Sequence, residues 1–260
     1  MNIFLTGATG YLGSAIAASL VRAKHDVTAL VRSTTSAARV ESYGIHAHRG
    51  DLRDPDSYRD AALAADAIVH AGVEGGEDRI DVDRIFVDAV AGPQLVYTSV
   101  LFVLGNVESA DESAIGSGPR AEHERIVLDA GGAVIRPGMI WGDDAWLFAH
   151  PMYIGGGDNR WPLVHRDDVA ELYRLVVESG SRGVFHAVAE VLRARDVFPG
   201  KGATLEDARV QVGGFADALA LDQDVTALRS VAIGWTPTQR YPSSGLRPPS
   251  PLCRGEKATQ

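Results

Sequence analysis

The chain has 260 residues, 45% of them hydrophobic, and its 34 acidic and 25 basic residues give a net charge of −9. This length suits one large α/β domain with a small appended lobe, and the acidic balance argues against nucleic-acid binding because it repels phosphate backbones. No apolar run approaches the ~20 residues that span a bilayer, and the single cysteine, Cys253, excludes a disulfide framework or cysteine-based metal site and fits the cytoplasm.

Short β-rich runs alternate with helical patterns up to about residue 190. The predicted strands are apolar, as is typical of strands covered on both faces, and they are 3–6, 27–31, 67–70, 94–98, 133–136 and 183–187. The predicted helices are 11–22, 36–43, 54–64, 79–91, 121–129 and 166–179. This alternation predicts an α/β fold with a doubly wound parallel sheet, a Rossmann domain, over residues 1–190.

The alternation stops after residue 190. Residues 191–241 contain one or two predicted helices and are expected to form a small C-terminal substrate lobe. Residues 242–260 are rich in Pro and Ser and are predicted to lack regular structure. A loop at about 137–162 is expected to line the pocket between domain and lobe.

The first strand leads directly into the run Thr6-Gly7-Ala8-Thr9-Gly10-Tyr11-Leu12-Gly13. Glycines at this spacing permit a tight turn, a close approach of pyrophosphate to the backbone, and close packing of helix on strand. The phosphates then meet the N–H groups at the positive end of the helix. Because the turn joins a strand to a helix within a βαβ unit, it predicts a dinucleotide site. Its residues are Gly7, Thr9, Gly10, Tyr11, Leu12 and Gly13.

The Gly-x-x-Gly-x-x-Gly spacing resembles the short-chain dehydrogenase/reductase superfamily, in particular the extended and atypical branches that include the NAD-dependent epimerase/dehydratase family. Five further segments are similar to that family up to about residue 190: Gly50-Asp51-Leu52, His70-Ala71-Gly72, the run from Leu95 to Ser99, Ile135-Arg136-Pro137-Gly138, and the run from Trp161 to Ala170. The resemblance implies Asp51 and Leu52 beside the adenine, and Ala71 and Gly72 beside its ribose. It also implies cofactor contacts from Thr98 and, bordering the nicotinamide, from Pro137, Gly138 and Met139.

The end of the second strand indicates which dinucleotide is bound. NAD enzymes usually place an acid there to hold the ribose 2′-hydroxyl, whereas this chain has Arg32 and Ser33, and Asp26 precedes the strand. A guanidinium is a planar, permanently charged partner for a 2′-phosphate. The sequence therefore predicts NADP, in its reduced form NADPH, held by Arg32 and Ser33.

The catalytic triad implied by the resemblance is absent. Reductases of this superfamily carry Ser, Tyr and Lys, in which the tyrosine transfers the proton and the lysine lowers its pKa. No Tyr-x-x-x-Lys occurs between Ser99 and Arg136, and the best register places Arg120 at the lysine, Gly116 at the tyrosine and Val100 at the serine. The remaining catalytic candidates are Ser99, whose hydroxyl could donate to a carbonyl, as could that of Thr98, and Arg120, which could hold the nicotinamide ribose or stabilise an alkoxide.

Three functions fit these residues. The first is an NADPH-dependent ketoreductase acting on an aromatic polyketide-like metabolite, as in antibiotic biosynthesis, because hydride transfer depends mainly on positioning and a phenol beside the ketone polarises it. This combination resembles the atypical angucyclinone ketoreductases. The second is an epimerase, dehydratase or isomerase, and the third is a protein that senses the NADP/NADPH ratio. The sequence does not indicate an oligomeric state.

Large side chains between residues 141 and 153 are candidates for an apolar pocket that accepts a flat substrate, or equally for lid and core packing. They are Trp141, Trp146, Phe148, Met152 and Tyr153.

Several polar residues are weaker candidates. We expect His123 to be solvated, Asp168 to cap the following helix, and His165 to lie away from the pocket. Arg160 is a candidate contact for an anionic substrate. His46, His48 and His70 have no Asp or Cys at ligand spacing, so no metal site is predicted.

Overall fold

The computed structural model describes residues 1–72, 78–143, 145 and 150–242. Trp146, Phe148, Cys253 and the predicted tail after residue 242 therefore lie outside the described residues. Within the described ranges, no helix combines the length and apolar character that a membrane crossing requires.

The strands and helices follow one another as the sequence pattern predicts over most of the chain. The strands are β1 (Asn2–Thr6), β2 (Asp26–Val31), β3 (His46–Arg49), β4 (Ala67–His70), β5 (Leu95–Thr98), β6 (Val107–Ala110), β7 (Ala133–Pro137), β8 (Met139–Trp141), β9 (Tyr153–Ile154), β10 (Arg160–His165), β11 (Gly183–Ala187), β12 (Glu190–Arg193), β13 (Gly202–Ala203) and β14 (Gln223–Val225). The helices are α1 (Tyr11–Arg22), α2 (Thr34–Glu41), α3 (Arg59–Leu63), α4 (Arg79–Val90), α5 (Pro119–Asp129), α6 (Arg166–Ser179), α7 (Ala194–Val197), α8 (Leu205–Val212), α9 (Phe215–Leu219) and α10 (Leu228–Ala232).

Seven strands form one sheet in the order β11-β7-β5-β4-β1-β2-β3. Every neighbouring pair in this sheet is parallel, which confirms the predicted doubly wound sheet. The strand order reverses between β1 and β4, and ligands of such sheets bind outside the carboxyl ends of the strands at this point.

Both faces of the sheet are buried, because successive strand residues point to opposite sides. On β1, Ile3 and Leu5 belong to the core beneath α1 and α6, whereas Phe4 belongs to the core beneath α4. β5 alternates in the same way, with Val96 in the first core and Tyr97 in the second. The carboxyl end of β5 therefore carries side chains toward both layers of helices.

The third strand and the third helix differ from the predicted pattern. β3 lies at the edge of the sheet, and three of its four residues are polar. It therefore has no apolar run for a sequence pattern to detect. The predicted helix over 54–64 is instead a 3-10 turn, Pro55–Ser57, followed by the short α3.

A third hydrophobic core joins residues of the predicted C-terminal lobe to residues before 190, and we call this unit the lobe. It packs around Trp161, whose indole N–H donates to the carbonyl of Leu219 over 3.1 Å. Its core also contains Met139, Met152 and Phe198. Residues 192–228 contain three short helices, α7 to α9, rather than the one or two predicted. Each is too short to show a clear helical period.

β14 brings the end of the lobe back to the segment that follows β5. It pairs in parallel with β6, and the buried amide of Gln223 donates to the carbonyls of Leu101 and Gly105, each over 2.9 Å. The 3-10 turn Leu101–Leu104 is thereby attached to the lobe.

Candidate functional site

The glycine turn after β1 has geometry that side chains would prevent. Gly7 has φ +76°, and a Cβ on it would lie 2.6 Å from the carbonyl oxygen of Ala71. A Cβ on Gly13 would lie 2.0 Å from the carbonyl oxygen of Gly7. The first-turn N–H groups of α1 follow Gly10, which has no side chain to cap them. These groups and the bare backbone fit a pyrophosphate.

A cavity of about 330 Å³ opens at the carboxyl ends of β1 and β2. Its lining includes eight residues that the sequence predicts for the cofactor: Gly7, Thr9, Gly10, Arg32, Ser33, Leu52, Ala71 and Gly72. It also includes Thr6, Leu30, Val31, Ser36 and Gly50. Tyr11, Leu12 and Gly13 form the start of α1 beside it, with the guanidinium of Arg166 5.0 Å over the Tyr11 ring. The cavity has the position expected for the adenosine half of a dinucleotide.

The rim of this cavity near β2 is built from the start of α2. Ser33 caps α2, because its Oγ accepts from the Ser36 N–H over 3.0 Å. Arg49 at the end of β3 donates from Nη1 to Thr34 Oγ1 over 3.0 Å, which the sequence analysis did not anticipate. Arg32 thus lines the cavity, and Arg49 is attached to the helix start beside it.

Asp51 and Asp26 have local partners. An Asp51 carboxylate oxygen accepts from the Arg53 backbone N–H over 2.9 Å, and the Asp51 N–H donates to Ser57 Oγ over 3.0 Å. These bonds fix the turn that carries Leu52 to the cavity. Asp26 lies at the far end of β2, 3.0 Å from His46 Nε2.

A buried chain of hydrogen bonds leads away from the glycine turn. The Gly72 N–H donates to Thr6 Oγ1 over 3.2 Å, and Thr6 Oγ1 lies 2.7 Å from His70 Nδ1. Because the Asp83 carboxylate can only accept, the other ring nitrogen, Nε2, carries the proton that it donates to Asp83 over 2.7 Å. A residue of the cavity lining is thereby connected to a carboxylate buried beneath α4.

The Asp83 carboxylate is the centre of this chain. Its other oxygen accepts from Tyr97 OH over 2.5 Å and from His123 Nδ1 over 3.0 Å. Burial acts to raise the pKa of Asp83, but the hydrogen bonds from His123 and His70 outweigh it and hold that pKa well below its ordinary value. Burial also raises the pKa of the Tyr97 phenol. The expectation that His123 is solvated is wrong: it is 2% exposed because α5 packs this face against α4.

Arg120 lies between the Asp83 cluster and the end of β5. Its Nη1 donates to the carbonyl of Thr98 over 3.0 Å and lies 3.9 Å from the nearer Asp83 oxygen. One turn further along α5, Glu124 binds Arg136 through two hydrogen bonds, of 3.0 and 2.6 Å. Arg120 therefore reaches the carboxyl edge of the sheet, where the resemblance places the family's lysine.

The two hydroxyls at the end of β5 differ in exposure. Ser99 is wholly buried, and its Oγ has no hydrogen-bond partner within the described part of the chain. Thr98 is half-buried, and its Oγ1 lies 2.5 Å from Tyr173 OH. Thr98 is thus partly exposed, whereas Ser99 is not.

Gly116, which stands at the position of the family's tyrosine, has no space for a side chain. A Cβ on Gly116 would lie 2.7 Å from Val103 Cγ2, which is closer than real Cβ contacts come. Val100, at the serine position, starts the turn that carries Val103. No hydroxyl stands at either position.

The three residues predicted to border the nicotinamide, Pro137 to Met139, connect the seven-stranded sheet to the lobe. Pro137 closes β7, and a Cβ on Gly138 would lie 2.5 Å from the carbonyl oxygen of Pro162. Met139 and Met152 are 4% exposed and pack in the lobe core. For Met152, this burial favours core packing over a place in an apolar substrate pocket.

Trp141 contacts two other rings, those of His165 and Tyr241, at centroid distances of 4.6 and 5.6 Å. Its indole N–H has no hydrogen-bond partner among the described residues. Tyr153 is half-buried on β9. Trp141 thus meets both neighbouring rings edge-on and remains half-buried.

Two weaker candidates have structural partners instead. Arg160 forms ion pairs with Asp222 and Asp224, with N–O distances of 2.9 and 2.7 Å, so its charge is already compensated by residues far along the chain. Asp168 does not cap α6: that cap is His165, whose Nδ1 accepts from the Asp167 N–H. Asp168 is turned inward and accepts from the N–H groups of Thr238 and Gln239 over 3.0 and 2.9 Å.

The histidines considered for a metal have other partners. His46 pairs with Asp26, His48 bonds the Ser57 carbonyl, and His70 belongs to the Asp83 chain. Within the described ranges, no group of three or more His, Cys, Asp or Glu side chains is arranged to hold a metal ion.

Comparisons with known proteins agree with this geometry. The model of the NAD dependent epimerase/dehydratase family matches residues 3–96. An uncharacterized protein of Saccharomyces cerevisiae is 30% identical over 224 residues, which cover 73% of this chain and 75% of that protein. The 2-alkyl-3-oxoalkanoate reductase of Stenotrophomonas maltophilia is 26% identical over 294 residues, covering 98% of this chain and 87% of that enzyme.

A solved structure supports the fold. The human epimerase family protein crystallised with NADPH superimposes with a TM-score of 0.69 at 16% identity, covering 92% of this chain and 95% of that one. The fold is therefore that of epimerase/dehydratase structures.

Proposed function

Because this chain belongs to the NAD-dependent epimerase/dehydratase family, we propose that it is an NADPH-dependent ketoreductase of an aromatic, polyketide-like metabolite. The family and its relatives make it an oxidoreductase that uses NAD or NADP. The proposal makes three further choices: reduction rather than epimerisation or dehydration, NADP rather than NAD, and an aromatic substrate. Each choice rests on a separate set of residues.

The choice of a reductase rests on one observation, the packing of Val103 against Gly116. An epimerase or dehydratase must remove a proton from its substrate as well as return one, and the family's tyrosine does this work. Carbonyl reduction needs one hydride and one proton, and good positioning supplies a large part of the rate. A site without room for the tyrosine therefore favours reduction.

The choice of NADP rests on the rim of the cavity. Arg32 lines the cavity, Ser33 and Ser36 lie beside it, and Arg49 is tied to the start of α2. Among the described residues that line the cavity, none is acidic. The guanidinium of Arg32 and the positive N-terminal end of α2 favour a 2′-phosphate over the 2′-hydroxyl of NAD.

The remaining residues have separate tasks in this proposal. A bound reduced nicotinamide supplies the hydride. The N–H groups at the start of α1 bind the diphosphate, and Pro137 to Met139 border the nicotinamide ring. Arg120, held at the Thr98 carbonyl, places a positive charge at the edge where negative charge develops on the carbonyl oxygen.

The substrate class rests on the exposed part of Trp141 and on the chemistry of the ketone. Trp141 is half-buried and meets the ring of Tyr241 edge-on, so its own ring offers an apolar face for a flat substrate. A phenol adjacent to the ketone polarises the carbonyl through its own hydrogen bond, which suits a site with few acids. The reductase from Stenotrophomonas maltophilia is named for a carbonyl substrate, and this supports carbonyl reduction in general.

The test is an NADPH-oxidation assay of the purified chain against ortho-hydroxyaryl ketones, quinones and 3-oxoalkanoic acids. We expect turnover, with ortho-hydroxyaryl ketones reduced faster than matched ketones that lack the phenol. Saturable NADPH binding without turnover on any carbonyl would contradict the proposal and favour a sensor. Solvent-deuterium incorporation into an alcohol substrate without net reduction would favour an epimerase.

A further inference from the structure

The proton that reduction requires has no donor at the family's usual positions. Gly116 and Val100 carry no hydroxyl, and Ser99 is wholly buried. Thr98 is the half-buried hydroxyl at this edge, one residue before Ser99 at the end of β5. Thr98 is therefore the hydroxyl at this edge that a substrate carbonyl could reach.

The partner of Thr98 comes from a helix that supplies no catalytic residue in the family pattern. Tyr173 lies on α6, is wholly buried, and places its phenol oxygen 2.5 Å from Thr98 Oγ1. Thr98 shares its face of β5 with Val96, which belongs to the core that also contains Tyr173. This contact is thus a consequence of strand alternation and of the packing of α6 on the sheet.

The direction of this hydrogen bond follows from the chemistry of the two groups. A phenol is a better donor than an aliphatic alcohol, so Tyr173 donates and Thr98 accepts. The Thr98 hydrogen is then free to point away from Tyr173. Burial raises the pKa of Tyr173 well above its ordinary value, although the bond with Thr98 and the charge of Arg120 act in the opposite direction. The phenol is therefore protonated at rest.

Resting on the ketoreductase function, we propose that Thr98 donates the hydrogen bond and then the proton to the carbonyl oxygen, and that Tyr173 is the positioning residue that orients Thr98 and restores its proton. The carbonyl carbon gains the hydride from reduced nicotinamide, and the π pair moves to oxygen. That oxygen takes the Thr98 proton while Thr98 takes the Tyr173 proton. The negative charge then lies on the phenolate, in the field of Arg120. After the alcohol leaves, water returns one proton through Thr98.

The experiment compares wild type with Thr98→Val, Tyr173→Phe, the double variant and Thr98→Ser. Loss of a proton donor lowers rate by about 100-fold or more, so we expect that fall in kcat for Thr98→Val and a fall of about 10-fold or more for Tyr173→Phe. KM and the NADPH Kd should change little. The double variant should be no slower than Thr98→Val, because the two residues act as a unit. Thr98→Ser should recover most of the rate.

The control is Ser230→Ala, which removes a buried hydroxyl that donates to the His186 carbonyl over 2.6 Å, away from the proposed site. It should leave kcat unchanged. A second readout needs no turnover: the infrared carbonyl stretch of a ¹³C-labelled ketone bound with oxidised NADP. We expect this stretch at a lower frequency in wild type than in Thr98→Val, since a donor weakens the C=O bond.

The outcomes separate this inference from the function on which it rests. Reduction by wild type together with full kcat in Tyr173→Phe and Thr98→Val would overturn the inference alone. An unshifted carbonyl stretch in Thr98→Val would do the same. No reduction of any carbonyl by wild type would overturn the ketoreductase function and this inference with it.

Discussion

Val103 occupies the space in which a side chain at Gly116 would begin, 2.7 Å from the position of a Cβ there. Gly116→Tyr should therefore overpack this region and lower the free energy of unfolding by about 1–3 kcal/mol. Urea denaturation measures the loss. Adding Val103→Ala to Gly116→Tyr should recover part of it, and a double variant no more stable than Gly116→Tyr would show that Val103 is not the obstacle.

Arg32 at the cavity rim predicts the cofactor preference. Hydrogen bonds to charged groups contribute about 1.5–3 kcal/mol, so Arg32→Glu should raise the NADPH Kd by about 10- to 100-fold and the NADH Kd much less. Fluorescence titration of both nucleotides measures this. Arg39→Glu, the same charge change on an exposed residue of α2, should have little effect. An NADPH preference that survives Arg32→Glu would rule out the 2′-phosphate contact.

The low pKa of Asp83 predicts an acid-dependent contribution to stability. An unfolded Asp takes up its proton near pH 3.9, whereas the folded carboxylate stays ionised to a much lower pH. The stabilisation is therefore fully present above about pH 3.9 and is lost below it, by about 1.4 kcal/mol per pH unit. Asp83→Asn lacks this contribution.

The measurement is the difference in unfolding free energy between wild type and Asp83→Asn, by urea denaturation from pH 7 down to the acid limit of folding. The difference should shrink below pH 4. Asp88→Asn on the same helix, where Asp88 is exposed and pairs with Arg84, should show no comparable trend. A difference that stays constant through the acid range would mean that Asp83 is not held ionised.

Asp168 predicts how the last described segment is attached. Because it accepts the N–H groups of Thr238 and Gln239, Asp168→Ala should leave them without an acceptor and cost about 1.5–3 kcal/mol. Hydrogen exchange at these two amides should accelerate more than at the rest of the chain. The neighbouring Asp167→Ala changes an exposed side chain and serves as the matched control. Equal exchange in both variants would contradict this attachment.

The parts of this molecule that sequence patterns predicted are local. The residues from Gly7 to Gly13 form one contiguous turn, and the apolar runs of β1, β2, β4 and β5 report strands covered on both faces. The strand that the patterns missed, β3, lies at the sheet edge and carries three polar residues in four. A periodic signal requires a buried face, and an edge strand of four residues has little of one.

The buried polar cluster could not be predicted in the same way. Asp83, Tyr97 and His123 come from α4, β5 and α5, and they meet only because two helices pack on the same strand. In the sequence, His123 stands between two glutamates and resembles a solvated residue. Arg160 resembles a free surface cation in the sequence, but its partners, Asp222 and Asp224, lie more than 60 positions later. Long-range pairing of charges depends on the fold and leaves no local pattern.

The hydrogen bonds of Gln223 to the Leu101 and Gly105 carbonyls have a consequence for the order in which the protein assembles during translation. The N-terminal part of a chain emerges from the ribosome first, so strands β1 to β5 can pair long before residue 223 is made. Until then the two carbonyls have no amide to accept from. The segment beside Thr98 and Ser99 therefore gains its attachment to the lobe only when β14 docks, late in synthesis.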